Sequence, residues 1–182
     1  MKQSIIAAAL VGITLVSSSS ESRAQVSTVA KPVQFGIAAG AALPTSDLSN
    51  IASTGFNVTG TVGIAPALIP LGIRIDGAYN RFSLKNGVSG DVHFTSLTGN
   101  LVYKIPSEAV APYLIGGAGW YNSGGTVTGL GGGSSNHFGW NAGGGISMPL
   151  SGFDTFLEAR YNQVQGSGGS LKYIPITFGV MF

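Results

Sequence analysis

The last eleven residues, 172–182, read KYIPITFGVMF and carry the pattern that decides the fold. Every second residue is apolar, and the residues between them form a mixed face that includes Thr177 and Pro175. The apolar face consists of Ile174, Ile176, Phe178, Val180 and Phe182. A period of two residues is that of a β-strand, whose side chains point alternately to the two faces of a sheet. The C-terminal segment is therefore predicted to be a strand. Because proline cannot donate to a ladder, we expect a bulge or a missing hydrogen bond at Pro175.

The same alternation occurs in seven further segments of the chain, each about ten residues long, as bilayer-spanning strands are. They are 33–42, 56–65, 71–79, 96–104, 112–121, 137–148 and 155–163. Short connectors that contain proline alternate with mostly longer connectors rich in Gly, Ser and Asn, including the low-complexity stretch GLGGGSS, which is predicted to be a flexible loop. Short turns at one end and longer loops at the other are typical of up-and-down membrane barrels. The chain is predicted to be all-β, with eight antiparallel strands.

The N-terminus has the parts of a secretory signal peptide. Lys2 precedes an apolar run from Ile5 to Val16, and Ser22 and Ala24 are small residues before a cut at Gln25. The apolar run is too short to cross a bilayer as a helix. We therefore expect residues 1–24 to be removed and residues 25–182 to form one barrel domain.

The composition favours a protein that lies in lipid. Charged residues make up 9% of the chain, against roughly 25% in ordinary soluble domains. There is no cysteine, and no later segment has 18 consecutive apolar residues. Only helices and closed barrels satisfy the backbone in a membrane, so a membrane barrel and a soluble β protein with an unusually bare surface remain. The polar strand faces are mostly Gly, Thr, Ser and Asn, which favours the membrane barrel.

Aromatic residues near the strand ends also favour a membrane barrel, since Tyr and Trp concentrate at the two membrane interfaces. The predicted interfacial residues are Tyr79, Tyr103, Tyr113, Tyr121, Trp140 and Tyr161. In segment 112–121 both faces are apolar, and we assign the outward face to Tyr113, Ile115, Gly117, Gly119 and Tyr121.

The segments APYLIGGAGWY, FLEARYN and IPITFGVMF give the chain a family resemblance. It resembles the small outer-membrane β-barrel proteins, of the OmpX-like, OmpA-barrel-like and opacity-protein-like kinds. The resemblance implies an eight-stranded barrel in a bacterial outer membrane, with both termini on the periplasmic side. It also implies that the C-terminal stretch is the signal read by the outer-membrane assembly machinery. The residues of that signal are Ile174, Ile176, Phe178, Val180 and Phe182.

Five charged residues lie on the predicted inward faces and are expected to pair with one another, because an unpaired buried charge costs several kcal/mol. They are Arg74, Asp76, Lys104, Glu158 and Arg160. An eight-stranded barrel is just wide enough for its side chains to fill it. The network is therefore interpreted as a plug of the lumen, with a selectivity or proton pathway as the alternative.

The sequence indicates no catalytic set, no metal site and no cofactor. Neither His93 nor His137 lies two residues before a serine, the spacing that the lipid A deacylases of similar architecture would need. The expected role is structural or one of surface interaction, such as adhesion. The alternatives are a narrow channel and a lipid A-modifying enzyme. The expected partners are outer-membrane lipids, the assembly machinery and an extracellular ligand or protein bound by the loops, and no nucleic acid, because the charge is nearly balanced.

Overall fold

The computed structural model describes residues 33–64, 70–85, 89–107, 109–127, 131–166 and 169–182. The predicted signal peptide, 1–24, lies outside this part of the chain. The described residues form eight strands and a five-residue helix, and no helix among them is long and apolar enough to cross a membrane. The elements are β1 Val33–Thr45, α1 Asp47–Ile51, β2 Gly55–Ile64, β3 Leu71–Ser83, β4 Gly90–Lys104, β5 Ala111–Val127, β6 Gly131–Pro149, β7 Asp154–Gly166 and β8 Gly169–Met181.

The eight strands form one closed antiparallel barrel in chain order, which confirms the predicted fold class. The C-terminal stretch is β8, and it pairs with β7 on one side and with β1 on the other. Beyond β8, the backbone N–H and C=O of Phe182 both bond to Phe35 of β1. The last residue of the chain therefore takes part in closing the sheet.

The strands are tilted and staggered around the barrel. Following paired residues once around the ring from Phe35 leads back to Thr45, ten residues further along β1. Strand number and stagger together set the width of a barrel, and eight strands leave an interior that side chains can fill. The start of β1 at Val33 and the C-terminus lie at one end of the barrel, together with the strand ends that β2–β3, β4–β5 and β6–β7 share; this is called the turn end. The other connectors lie at the loop end.

The outer face is apolar and the inner face is polar. Ile73 and Ile75 are 56% and 52% exposed, whereas Arg74 and Asp76, beside them on β3, are 7% and 1% exposed. In β8, Ile176 and Phe178 point outward and Thr177 points inward. This arrangement is the inverse of a soluble barrel, whose apolar face would fill the interior.

The outward face assigned to β5 from the sequence is wrong. Tyr113 and Tyr121 point into the lumen, where they are 4% and 0% exposed, and Trp120 points outward at 59%. The reason lies on the neighbouring strand β6, whose inward positions include Gly139 and Gly145. A Cβ at Gly145 would lie 2.6 Å from the Tyr113 hydroxyl, and one at Gly139 would lie 2.7 Å from the Tyr121 ring. These glycines leave the space that the two rings occupy.

The predicted long loop between β5 and β6 is mostly strand. Residues from Asn122 to Val127 pair in register with residues from Gly131 to Asn136, as a continuation of the barrel ladder. The flexible loop predicted for GLGGGSS is therefore wrong for its described residues, 131–135, which belong to β6. Gly and Ser allow a strand here because each still pairs its backbone with the opposite strand.

Pro175 interrupts the ladder without changing its register. The β7–β8 pairs stop at Ala159–Ile176 and resume in the same register at Asn162–Tyr173. On the other side of β8, Pro175 pairs with Ala42 of β1. Of the two expected alternatives, the strand therefore shows the missing pairing and no bulge.

We predict that Gly145→Ala destabilises the barrel and that Gly99→Ala does not. A Cβ at Gly145 would overlap the Tyr113 ring and the Leu157 carbonyl, and overpacking of this kind costs about 1–3 kcal/mol. Gly99 points outward with nothing within 4 Å, so alanine there would leave stability unchanged or raise it by about 0.4–1 kcal/mol. Urea unfolding in detergent micelles measures both values, and equal losses would contradict the assigned faces.

Candidate functional site: the barrel lumen and the loop-end rim

Four charged side chains from opposite walls meet in the lumen. Arg74 and Asp76 lie on β3, and Glu158 and Arg160 lie on β7, on the far side of the ring. The Arg74 Nη2 atom is 2.7 Å from Glu158 Oε2, and the Arg160 Nη1 atom is 2.8 Å from Asp76 Oδ2. Each arginine also pairs with the carboxylate on its own strand. We call this group the charged square; its formal charges sum to zero.

Polar neighbours occupy the remaining bonding positions of the two carboxylates. Asp76 accepts hydrogen bonds from the Thr61 hydroxyl and, at 2.9 Å, from Asn100 Nδ2. Glu158 accepts one from the Tyr113 hydroxyl at 2.8 Å. A buried ion pair is maintained only when such bonds satisfy its remaining lone pairs. Because Tyr113 points into the lumen, its hydroxyl stabilises the charged square. The sequence had placed this residue on the outer face.

Lys104 does not join the charged square. It lies on β4 at the turn end, where it lines a cavity of about 140 Å³ with Arg74, Phe156 and Met181. Among the described residues its ammonium makes no ion pair. The prediction that Lys104 belongs to the network is wrong, because Lys104 lies six residues beyond Thr98, the partner of Asp76, and therefore at the mouth of the barrel. On the wall of the cavity, the Arg74 guanidinium lies over the Phe156 ring, 5.7 Å from its centre.

An aromatic cap fills the lumen on the loop side of the charged square. The Phe94 and Tyr173 rings stack with centroids 5.1 Å apart, and Phe82 meets both rings edge-on. Leu48 of α1 closes over them and is fully buried. The aromatic cap consists of Ala42, Leu48, Ala52, Phe82, Phe94, Tyr121, Val164 and Tyr173.

The sequence contains a signal for the aromatic cap that the sequence analysis did not use. Phe82 continues the inward parity of Asp76 on β3, and Phe94 continues that of Asn100 on β4. Extending the alternation by a few residues past each predicted strand would therefore have placed both rings in the lumen. The helix α1, in contrast, could not be predicted, because five residues are too few to show a helical period.

The structure places the other predicted aromatics on the outer face. Tyr79 and Tyr103 are 36% and 45% exposed, and Trp140 is 37% exposed, with its ring 5.5 Å from that of Tyr161. Tyr79 lies toward the loop end of β3 and Tyr103 toward the turn end of β4. This distribution is that of an aromatic girdle.

A small ion-pair cluster lies on the outer face, on the loop side of Tyr79. Arg81 Nη2 donates to Asp91 at 3.2 Å, and His93 Nδ1 lies 3.3 Å from the same carboxylate. Burial raises the pKa of Asp91, but the hydrogen bonds from His93 and Arg81 outweigh it and hold that pKa below its ordinary value. Within the described ranges, no group of three His, Cys, Asp or Glu residues could hold a metal.

The family of the chain follows from a match over nearly its whole length. A model of the outer membrane protein β-barrel domain matches residues 5–182. The chain belongs to this family. The outer-membrane barrel thus lies in a bacterial outer membrane with its apolar outer face in lipid. Since the short turns of such barrels face the periplasm, the loop end is the extracellular end.

Solved structures of outer-membrane proteins share the fold. Neisserial surface protein A, NspA, is 20% identical over 83% of this chain and 96% of its own, with a TM-score of 0.65. Ail, the attachment invasion locus protein of Yersinia pestis, is 20% identical over 84% and 100%, with a TM-score of 0.53. A major outer membrane protein of Thermus thermophilus is 15% identical over 84% and 99%, with a TM-score of 0.56. No curated protein sequence gives a significant match.

We predict that Glu158→Gln lowers the free energy of unfolding by about 3–5 kcal/mol, because it leaves two buried guanidinium groups without full compensation. The double variant Glu158→Gln, Arg74→Gln should recover part of this loss, since it removes a cation together with the anion. Asp91→Asn, in the exposed cluster, is the matched control and should cost at most about 1 kcal/mol. A double-mutant cycle in urea measures the coupling, and an additive cycle would contradict the charged square.

Proposed function

We propose that the protein is a closed, non-conducting barrel that stabilises the outer membrane and presents its extracellular end for binding or adhesion. The observation that carries this proposal is the charged square, whose two arginines and two carboxylates reach across the lumen and pair with one another. A water-filled channel would instead require an open path past these side chains.

The order of layers along the barrel axis supports a closed lumen. The periplasmic mouth holds the cavity of about 140 Å³, the charged square follows, and the aromatic cap lies beyond it. The space beside the charged square is only about 20 Å³, close to the room that one water needs. An ion crossing this region would have to separate buried ion pairs and then pass an apolar layer, and both steps are expensive.

The extracellular end supports a role in surface interaction. The β5–β6 hairpin continues past the last residue that pairs with β7 and stands above that part of the rim. Two proteins with the same fold are described as a surface protein and an attachment protein, and Ail has been crystallised with the heparin analogue sucrose octasulfate. Binding through the extracellular end is the function that these features favour for this barrel.

Biogenesis would use both ends of the sequence. We propose that residues 1–24 direct export and are removed, leaving 25–182 as the barrel domain. We also propose that the outward residues of β8, with Phe182, are read by the assembly machinery. Phe182 is 54% exposed and its ring lies 6.1 Å from that of Phe153, so its ring is accessible at the periplasmic rim of the closed barrel.

We propose no enzymatic activity. His93 points outward and its described hydrogen-bond partner is Asp91, while His137 lies opposite Tyr121 on the inner side of β6. A hydrolytic triad would require a serine within hydrogen-bond reach of one of these rings. If the barrel modified lipid A, its expression would shift the lipid A mass spectrum, and such a shift would overturn this part of the proposal.

Conductance in planar bilayers tests the closed lumen. We expect no steady single-channel steps for the native chain or for the control Lys104→Gln, because Lys104 lies outside the charged square. Glu158→Ala combined with Arg160→Ala removes two of its members and should permit brief openings. Steady steps in the native protein whose size changes on neutralising Arg74 or Glu158 would establish a channel instead.

Adhesion assays test the surface role. Residues 124–134 can be replaced by the two-residue turn Asn-Gly, which joins Ser123 to its partner Ser135. The change removes the β5 partner of Gly90–His93 and keeps the β4–β5 and β5–β6 pairs from Ser123 toward the periplasm. Cells that display the native barrel should adhere to immobilised matrix proteins more strongly than cells that display the shortened one. Equal adhesion, with equal amounts at the surface, would exclude the β5–β6 hairpin as the binding element.

A further inference from the structure

The cavity at the periplasmic mouth has largely apolar walls, and the charged square lies at its inner end. Its volume is about 140 Å³, and the side chains of Val102, Phe156 and Met181 line it. The Arg74 guanidinium lies over the Phe156 ring on its wall. A buried water needs about two to four polar partners, which such walls do not supply, whereas an apolar cavity of roughly 150 Å³ can hold benzene. The cavity therefore has the size and the walls for a small organic body.

The ammonium group of Lys104 stands at this cavity without a partner. The backbone of Lys104 is fixed, because its N–H donates to the Pro70 carbonyl at 2.8 Å and the residue pairs with Tyr113 of β5. The residue is half-buried, and within the described ranges its ammonium makes neither an ion pair nor a hydrogen bond. Removing a charge from water is unfavourable unless the charge is paired. An anion in the cavity would supply that pair.

Arg74 offers a second donor at the inner end of the cavity. Its Nε atom donates to Asp76 and its Nη2 atom to Glu158, whereas its Nη1 atom donates to no described residue. The buried side-chain atoms that lack a partner are Thr45 Oγ1 and Asn141 Oδ1, so Nη1 is not shut off from solvent. Arg74 as a whole is only 7% exposed, and it lines the cavity at the mouth. Two cationic side chains, on the neighbouring strands β3 and β4, therefore face the same space.

Asp154 is the one carboxylate among the described residues of the cavity wall. It lies on β7, two residues before Phe156 and thus on the same inward face, across the ring from β3. It makes no ion pair with any described residue. A cation that approached Asp154 would enter the field of Arg74 and Lys104, whereas an anion at Lys104 meets a single repulsive charge. The charges of the wall therefore favour a ligand with one negative charge over a cation or a dianion.

We propose that the mouth cavity binds a small monocarboxylate from the periplasm, with an apolar body about the size of a benzene ring. The carboxylate pairs with the Lys104 ammonium in the field of Arg74, and the apolar body covers Phe156 and Met181. Sites for small molecules are commonly of this kind, with apolar walls and a few polar groups that fix the orientation. The site is at the opposite end of the barrel from the proposed binding surface, and it goes beyond that role.

The probe is 4-fluorobenzoate, and the receptor is the full barrel in nanodiscs of phosphatidylcholine, which carries no net charge. Binding is followed by the broadening of the fluorine NMR signal, with empty nanodiscs as the blank. The compounds 4-fluorobenzyl alcohol and 4-fluorobenzylamine carry the same ring with no charge and with the opposite charge. We expect saturable binding of the acid, about tenfold or more tighter than that of either analogue, because hydrogen bonds between charged groups are the stronger ones.

Charge variants test the assigned partners. Lys104→Gln should weaken the acid about tenfold and leave the alcohol unchanged, since only the acid uses the ammonium. Lys104→Arg keeps the charge and should retain most of the affinity. Lys172→Gln is the matched control, because Lys172 pairs with Thr45 at the loop end. Asp154→Asn should strengthen the acid about two- to fivefold, since it removes the repulsive charge of the wall.

Gly63→Val tests the cavity itself. Gly63 lines the cavity, and a Cβ there would make an ordinary contact of 3.4 Å with Met181 Cε, so a larger side chain enters the cavity without displacing backbone. The acid and the alcohol should then both bind about tenfold or more weakly, because the space for the ring is filled. Gly99→Val is the control, since a Cβ at Gly99 meets nothing within 4 Å. Urea unfolding checks that both variants fold.

Three results would overturn the inference. If the amine or the alcohol binds as tightly as the acid, or if Lys104→Gln leaves the acid unchanged, the cavity is not an anion site. If Asp154→Asn weakens the acid, the repulsive role of that carboxylate is wrong. If N-acetylphenylalanine, which represents the end of a peptide chain, binds more tightly than the free acid, the occupant is a polypeptide terminus. Adhesion and conductance are measured on other parts of the barrel, so the failure of this site leaves the proposed function standing, and the reverse also holds.

Discussion

The structure depends on one constraint, which is that every backbone N–H and C=O in the hydrocarbon layer must be paired within the protein. The chain meets it by joining its last strand to its first, with the pair Phe35–Phe182 completing the seam. Closure with eight strands fixes a narrow interior. The interior then determines the rest, because polar side chains that face inward have only one another as partners.

The charged square is the electrostatic consequence of that narrow interior. Two like-charged groups facing each other across so small a lumen would be unfavourable, so arginine on each wall faces a carboxylate on the other. Asn100 and Asn141 continue the network sideways, since Asn141 Nδ2 donates a hydrogen bond to Asn100 Oδ1 at 2.9 Å. The aromatic cap lies between this polar layer and the extracellular end of the barrel. Low dielectric above and lipid around make each of these bonds stronger than it would be in water.

The sequence predicted the architecture well, because apolar and polar residues alternate along a strand that has lipid on one face and the lumen on the other. Strand count, outward face of β8 and the pairing partners Arg74 and Glu158 all follow from parity. The alternation could not assign the inward face of β5, because both of its faces are apolar. That face is instead determined by Gly139 and Gly145 on the neighbouring strand β6, which leave space for the Tyr121 and Tyr113 rings. Composition misled in the β5–β6 hairpin, since Gly and Ser signal turns, whereas long-range pairing decides whether they lie in a ladder.

The uneven rim also sets how far the protein reaches from the cell. From Gly139, where pairing with β7 ends, β6 continues eight residues to Gly131. At about 3.3 Å per residue, this is roughly 25 Å along the strand direction. Over this length β6 pairs with β5, and β5 in turn pairs with β4 as far as Val127. That length is comparable with the thickness of the hydrocarbon core itself. Because the strands of such barrels are tilted by about 35–45°, the rise along the barrel axis is shorter, roughly 20 Å. The end of β6 at Gly131 therefore reaches beyond the rim that β7 and β8 form, toward the surrounding medium.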